Sequence, residues 1–274
     1  MTTPAAARAE TFRALHAPGR FLVLANAWDA GSARVIESCG AQAIATTSAG
    51  LAWSHGYPDG EQLPPRALAA AVAEIVRVIS IPLSCDFERG FSGDLARIAE
   101  HTAALVESGA VGVNIEDGTD SPDVLCAKIE TVKKTARSAG VDLFVNARTD
   151  VYLKKLAPAE RLEAETIARG QRYRAVGADG FFVPTVTDRE AIRRIAAAVP
   201  LPLNVIVSAG LPPVAELRAL GARRLSAGSR LTQRAYRAAR EAALELLRDG
   251  RHDSLTAPEN LVTDMNALLA KERR

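Results

Sequence analysis

Short apolar runs alternate with helical stretches along this chain, and nothing constrains its fold more. The runs are FLVLA (21–25), AIATT (43–47), IPLSC (81–85), VGVNI (111–115), LFVNA (143–147), GFFVP (180–184), LPLNVIV (201–207) and RRLSA (223–227). Each has the length of a buried strand. Between them lie stretches with helical character, such as PRALAAAVAEIVRVIS, DLARIAEHTAALVESG and DREAIRRIAAAV. Several helical stretches end in Gly-Ala, at Gly40, Gly109, Gly177 and Gly221, where glycine supplies the left-handed cap that turns the chain into the next strand. Eight strand–helix units predict an α/β fold, a (β/α)8 TIM barrel. A doubly wound sheet is the weaker alternative, because no glycine-rich phosphate fingerprint follows the first run. Residues 1–274 read as a single barrel domain, with residues 255–274 as a C-terminal helical extension. That last helix, around ENLVTDMNALLAKE, would either cap the surface or pack on a neighbouring subunit.

Composition narrows the function classes. Nearly half of the 274 residues are hydrophobic, enough for a large core. Charge is close to balanced, 34 basic against 32 acidic residues, and no basic stripe stands out, which argues against a nucleic-acid partner. The three cysteines, Cys39, Cys85 and Cys126, form no CxxC and leave an odd count, so a disulfide framework is not suggested and a reducing, cytoplasmic setting fits. No run of 18 apolar residues occurs, so a membrane span is not expected.

In a barrel, chemistry sits at the C-terminal ends of the strands. The residues there are Asp29 after the first run, Asp59 in a long loop after the second, and Asp86-Phe87-Glu88 after the third. Glu116-Asp117 follow the fourth, Arg148-Thr149-Asp150 the fifth, and Asn204 or Ser208 the seventh. Carboxylates crowded on one mouth raise one another's pKa unless a cation sits among them. A carboxylate set without His or Cys suits Mg²⁺, or Mn²⁺, better than zinc. Asp86 and Glu88 are two apart, so on an extended segment they share a face, as two ligands of one metal would. Asp94 is the better N-cap for the helix that follows. Arg148 would be the fixed positive fork for a substrate carboxylate or phosphate. Asp29 reads as a cap of the helix GSARVIESCG, and Cys85 as packing.

Taken in order, SAG…GYPD, DFERGF, NIEDG and NARTD at these strand ends resemble the isocitrate lyase/phosphoenolpyruvate mutase superfamily, over roughly residues 10–235. The resemblance implies bond cleavage or formation, C–C or P–C, beside a 2-keto or enol acid, through an Mg²⁺-bound pyruvate-like enolate. It implies a homo-oligomer, dimer or tetramer, often with the C-terminal helix swapped between subunits. Residue by residue, Asp86 matches the directly metal-linked aspartate. Glu88 and Glu116 match groups that reach the metal through water. Asp59 matches the aspartate after the second-strand loop. Ser48, Ala49 and Gly50 match the segment whose hydroxyl and N–H groups hold the substrate carboxylate. Arg148 matches the arginine at the substrate's oxygen-rich end, and Asn204 a polar residue of the seventh strand.

The departures matter as much. The lyases of the superfamily carry K-[KR]-C-G-H on a lid between the fourth and fifth strands, and its cysteine is an acid/base. Here the stretch reads EDGTDSPDVLCAKIETVKKT, without that motif and too short for a full lid. The expected activity is therefore an Mg²⁺-dependent carbon–carbon lyase acting on a small 2-keto or 2-hydroxy carboxylate, with Arg148, Asp59 and Ser48 as catalytic groups. Alternatives are phosphonomutase-type transfer on a phosphoenolpyruvate-like substrate, hydroxymethyl transfer to an enolate, and a barrel that binds a metabolite without turning it over.

Overall fold

In the computed structural model, which describes residues 4–262 and 264–270, every apolar run folds as a strand. The first is split: β1 (Leu22–Leu24) and β2 (Asn26–Ala27) flank Ala25. They are followed by β3 (Ile44–Thr46), β4 (Leu83–Asp86), β5 (Gly112–Glu116), β6 (Phe144–Arg148), β7 (Gly180–Phe182), β8 (Leu203–Ile206) and β9 (Ala222–Ser226). All pair in parallel in the order β1-β9-β8-β7-β6-β5-β4-β3-β2. Because β1 pairs with β9 and β2 with β3, the split strand closes the sheet on itself into a (β/α)8 TIM barrel.

The helices fill the connections. α1 (Pro4–Ala14) precedes the barrel, and α2 (Ala30–Ser38) follows the split strand. α3 (Ser48–Ser54) and α4 (Pro65–Val78) follow β3, α5 (Leu95–Glu107) follows β4, and α6 (Pro122–Ser138) follows β5. α7 (Val151–Lys154) and α8 (Leu162–Ala175) follow β6, α9 (Arg189–Ala198) follows β7, α10 (Val214–Ala219) follows β8, and α11 (Arg230–Asp249) follows β9. Local chemistry explains the boundaries. Asp29 caps α2 by accepting from the Ser32 N–H at 2.6 Å, and Asp94 caps α5 by accepting from the Ala96 N–H at 2.9 Å. The four Gly-Ala glycines all turn with φ between 89° and 97°. α4 begins with Pro65 and buries Leu68, Ala71, Val72 and Ile75, the inward stripe of an amphipathic helix.

Two stretches differ from the sequence expectation. The segment after β3, expected as a loop, opens with α3, because Leu51 and Ala52 are buried against the barrel and draw the chain into about two turns of helix. The last helix is shorter than expected. α12 (Asp253–Thr256) precedes a 3₁₀ turn at Pro258–Asn260, and α13 covers only Met265–Leu269, started by the Asp264 cap. Residue 263 and residues 271–272 of the expected helix lie outside the described residues. α13 rests on α2 of its own chain, where Arg34 Nε donates to the Leu268 carbonyl oxygen at 2.6 Å. α11 behaves otherwise: of its twenty residues only Thr232 is buried, and Tyr236, Leu244, Leu246 and Leu247 are exposed. No helix among the described residues is long and apolar enough to cross a membrane.

The N-terminal end of the barrel is plugged by α1. Phe12, fully buried, sits against Phe144 with ring centroids 5.5 Å apart. His16 stacks on the same Phe144 at 4.1 Å, and its Nδ1 donates to the Phe12 carbonyl oxygen at 2.9 Å. Its Nε2 is buried and finds no partner among the described residues. Burial, with Arg224, Arg13 and Arg223 nearby, pushes the His16 pKa down to about 3. The folded chain thus refuses a proton that the unfolded chain accepts near pH 6.5. This part of the stability is full above that pH and is lost as pH falls toward about 3. By pH 5 the loss is about 2 kcal/mol. His16→Phe is expected to gain on the wild type by that amount between pH 7.5 and pH 5, read by urea unfolding; parallel curves would mean the ring is protonated in the fold.

Candidate active site

The strands bring the expected residues to one mouth by their register. Glu116 and Arg148 are direct neighbours at the ends of β5 and β6. One level lower, Asp86, Asn114 and Asn146 are successive neighbours across β4, β5 and β6. Arg148 is fixed from two sides: Nη1 lies 2.7 Å from Glu116 Oε2, and Nε donates to Asp150 Oδ1 at 2.7 Å. Its guanidinium also lies 5.7 Å from the centre of the Phe182 ring. Asp150 is itself fully buried, and its backbone N–H donates to Asp117 Oδ1 at 2.8 Å. Asp117 does not face the mouth. It is buried among Thr149, Arg169 and Tyr173, each of which donates to its Oδ2 at 2.7 to 2.9 Å. Sequence reading grouped Asp117 and Asp150 with the strand-end acids, and the structure makes them the supports of Arg148.

Asp86 ends β4, one register level below Glu116. Its Oδ2 accepts from the Ser48 N–H at 3.2 Å, and its Oδ1 is buried with no partner among the described residues. Burial raises its pKa, with Arg148 and Ser48 opposing and Asp59 adding. Glu88 is pushed up to about 8 by burial, then by Asp86 and Asp59. Glu116 is pushed up to about 8 by burial, against Arg148, with Asp86, Asp150 and Glu88 adding. Arg148 keeps its charge: burial works against it, and Glu116, Asp150 and Asp86 outweigh that and hold its pKa above the usual value. The mouth therefore gathers more carboxyl groups than Arg148 balances, and burial holds Glu88 and Glu116 toward their protonated form.

Glu88 shares the site with Asp86, but not by the extended geometry its spacing suggested. The strand stops at Asp86, and Glu88 takes a left-handed backbone with φ of 48°. Its Oε2 accepts from the Glu61 N–H at 2.7 Å. Glu61 in turn accepts from the Phe91 N–H at 2.7 Å and pairs with Arg89 at 2.7 Å. Glu61, Glu88, Phe91 and Thr185 all have positive φ, and all flank the mouth. Such conformations cost of order 1–3 kcal/mol each and persist where the surroundings impose them. Glu61 was missed in the sequence, since nothing in EQLPP marks a brace for a loop some 27 residues on.

A cavity of about 240 Å³ opens above this floor. Asp86, Asn114 and Arg148 form one side; Ser208, Arg230 and Gln233 lie on the other. Of the expected site residues, Ser48, Ala49, Gly50, Asp59, Glu88, Glu116 and Asn204 do not border it. Ser48 is turned to Asp86. Ala49 and Gly50 are buried in the first turn of α3, where a Cβ on Gly50 would come within 2.6 Å of Thr47 and Thr232. Asp59 is exposed on the loop beyond α3, near enough for its charge to act on Asp86 and Glu88. Asn204 is fully buried inside the barrel, with Nδ2 donating to the Val205 carbonyl oxygen at 2.8 Å and to Ser226 Oγ at 3.1 Å.

Among the described residues no three His, Cys, Asp or Glu side chains lie close enough to hold a metal ion by themselves. The acids nonetheless suit a hard divalent cation held by one direct carboxylate and otherwise through water. Asp86 Oδ1 is the open oxygen, and Glu88 and Glu116 are the carboxylates whose raised pKa a cation would relieve.

Comparison with known proteins places this geometry. Residues 12–247 match the family model described as phosphoenolpyruvate phosphomutase. An uncharacterised protein of Mycobacterium tuberculosis is 37% identical over 227 residues, covering 80% of this chain and 82% of that protein. The 2,3-dimethylmalate lyase of Eubacterium barkeri is 28% identical over 225 residues, covering 78% of this chain and 77% of the enzyme. A crystal structure from Burkholderia cenocepacia, provisionally described as a phosphonomutase, superposes with a TM-score of 0.81 at 39% identity, covering 85% of this chain and 98% of that one.

Proposed function

The chain belongs to the phosphoenolpyruvate phosphomutase family of the isocitrate lyase/phosphoenolpyruvate mutase superfamily, and from that premise we propose that it is a divalent-metal-dependent lyase that cleaves a C–C bond in a small 2-keto or 2-hydroxy carboxylate. The observation that carries the reading is the surplus of buried carboxylate around Arg148, with Asp86 Oδ1 left open beside the cavity. Asp86 would hold Mg²⁺ or Mn²⁺ directly, and Glu88 and Glu116 through water. When bound, the cation supplies positive charge where an enolate oxygen develops negative charge.

The chain's own groups account for the rest. Arg148, locked by Glu116 and Asp150, presents a charged fork of fixed orientation to a substrate carboxylate. In a 2-keto acid the electron pair of the breaking C–C bond goes into the adjacent carbonyl as an enolate. In a 2-hydroxy acid the hydroxyl loses its proton, its oxygen becomes the new carbonyl, and the pair leaves on the carboxylate of the other fragment. In both cases positive charge and donors at the developing oxyanion lower the barrier. Asp59, the exposed carboxylate beside the acidic cluster, is the group proposed to accept the proton of a 2-hydroxyl. The connection from β5 to α6 spans only residues 117–121, and Asp117 anchors it inward. A connection that short gives no cover over the cavity. It favours cleavage to stable products over transfer of a phosphoryl group that water would intercept.

The test is proton and phosphorus NMR of the protein with oxaloacetate, methylisocitrate, isocitrate, dimethylmalate, phosphonopyruvate and phosphoenolpyruvate, with Mg²⁺ and with chelator. The expected result is Mg²⁺-dependent release of pyruvate or another C–C fragment. Phosphorus moving between P–O and P–C positions would make the protein a mutase instead. We also propose a homo-oligomer, because the exposed Tyr236, Leu244, Leu246 and Leu247 of α11 lack cover in a single chain. Sedimentation should give a multiple of 29.1 kDa; a monomer at micromolar concentration would refute that part.

A further inference from the structure

The interior of a barrel of this kind is ordinarily filled by branched aliphatic side chains. Here the layer beneath the cavity holds Asn114, Asn146, Asn204 and Arg224, all buried. Arg224 is 1% exposed, and its Nε and Nη1 find no partner among the described residues. Its one hydrogen bond runs from Nη2 to Asn114 Oδ1 at 3.3 Å.

That contact decides how Asn114 is turned. A guanidinium has donors and no acceptor, so the carboxamide atom facing it is the oxygen. The same oxygen accepts from Asn146 Nδ2 at 2.8 Å. Asn146 is held against a glycine: a Cβ on Gly180 would lie 2.6 Å from Asn146 Oδ1, so any larger residue there would push the amide away. Two donors on one oxygen leave Asn114 Nδ2 pointing the other way. Asn114 borders the cavity, is the register neighbour of Asp86, and makes no hydrogen bond through Nδ2 among the described residues. A neutral donor, braced from below by a buried cation, thus faces the space beside Asp86.

We propose that Asn114 binds the substrate, donating from Nδ2 to a carboxylate or carbonyl oxygen of the small acid, and that Arg224 and Asn146 are the positioning residues that hold its carboxamide in that orientation. The proposal rests on the reading of the cavity as a carboxylate site. It makes Asn114 selective for ligands that present an acceptor at the floor. An aspartate at this position would present an acceptor of its own, next to Asp86, and repel them.

Calorimetric titration with oxalate in the presence of Mg²⁺ tests it, oxalate being a planar dicarboxylate that fits a small anionic site. Asn114→Ala should weaken binding roughly tenfold to a hundredfold, and Asn114→Asp at least as much. Arg224→Met and Asn146→Ala should each weaken it in the same direction. The double variant Asn114→Ala/Arg224→Met should bind no more weakly than Asn114→Ala alone, because Arg224 acts through Asn114. A merely structural role for Arg224 would instead multiply the two losses. If Arg224→Met does not fold, as read by circular dichroism, the Asn146→Ala pair carries the same cycle. Asn114→Ala binding like the wild type, or losses that multiply, would overturn the inference while leaving the carboxylate site standing. A wild type that binds no oxalate would instead take down the reading of the cavity, and the inference with it.

Discussion

Asp86→Ala is expected to abolish Mg²⁺-dependent turnover, by a factor on the order of a thousand or more, while leaving the fold as stable as before or more so. The two effects have one cause. Asp86 is a buried carboxylate with one oxygen unpartnered, and burial holds its pKa above the usual range. Its side chain gains the Ser48 contact at 3.2 Å and attraction from Arg148, which burial outweighs, so removing it gives up little. Its backbone N–H donates to Thr46 Oγ1 at 2.8 Å, and that bond survives the substitution. The activity loss follows from the proposed role: a cation at the reacting oxygen is worth several kcal/mol of barrier, and each 1.4 kcal/mol or so is a factor of ten. Cation binding gives a second readout. At Mg²⁺ a hundredfold above its dissociation constant, the wild type should gain about 2.7 kcal/mol of stability, and Asp86→Ala should gain almost none. Turnover that stays Mg²⁺-dependent in Asp86→Ala would remove Asp86 from the metal site.

The barrel was legible because its signal is repeated. Eight apolar runs of strand length, with Gly-Ala turns between helix and strand, leave few folds to choose among, and an error in one run would not change the result. The strand-end residues were legible for the same reason: once the barrel is given, Asp86, Glu116 and Arg148 have to stand at one mouth. Period-two reasoning failed at Glu88, because it holds only while the strand lasts and the chain turns left-handed two residues past its end. Of the two residues offered for the seventh strand, Asn204 lies inside the barrel because β8 continues past it to Ile206, and Ser208 borders the cavity. What the sequence hid were long-range partners. Glu61 supports Glu88, and Arg224 reaches Asn114 across 110 positions. The two arginines of RRLSA cannot be told apart until the strand's inward face is known, and burial of Arg224 rather than Arg223 is a matter of phase.

Asp117→Ala is expected to lower stability by about 3–5 kcal/mol, the usual cost of breaking a buried ion pair by removing one partner. For a chain of this size that is a fall in melting temperature of roughly 10 °C. The size of the effect comes from the number of groups stranded. Thr149 Oγ1, Tyr173 Oη and Arg169 Nη1 all donate to Oδ2, and the Asp150 N–H donates to Oδ1. Thr149, Tyr173 and the Asp150 N–H would be left in a dry interior without an acceptor, and Arg169 would keep only the Asp120 carbonyl oxygen and Glu165. Asp117→Asn keeps the shape but exchanges one acceptor oxygen for a donor, so it should recover only part of the loss. Function should fall as well, although Asp117 faces away from the cavity. The Asp117 bond to the Asp150 N–H fixes the residue whose carboxylate holds Arg148 Nε at 2.7 Å. Loosening it lets the guanidinium swing, and a displacement of an ångström at a positioning group costs about a hundredfold in rate. Thermal melts and the pyruvate-release assay at a temperature well below the variant's transition separate the two effects. Asp117→Ala melting within 2 °C or so of the wild type would mean water replaces the carboxylate, and that the support of Arg148 lies elsewhere.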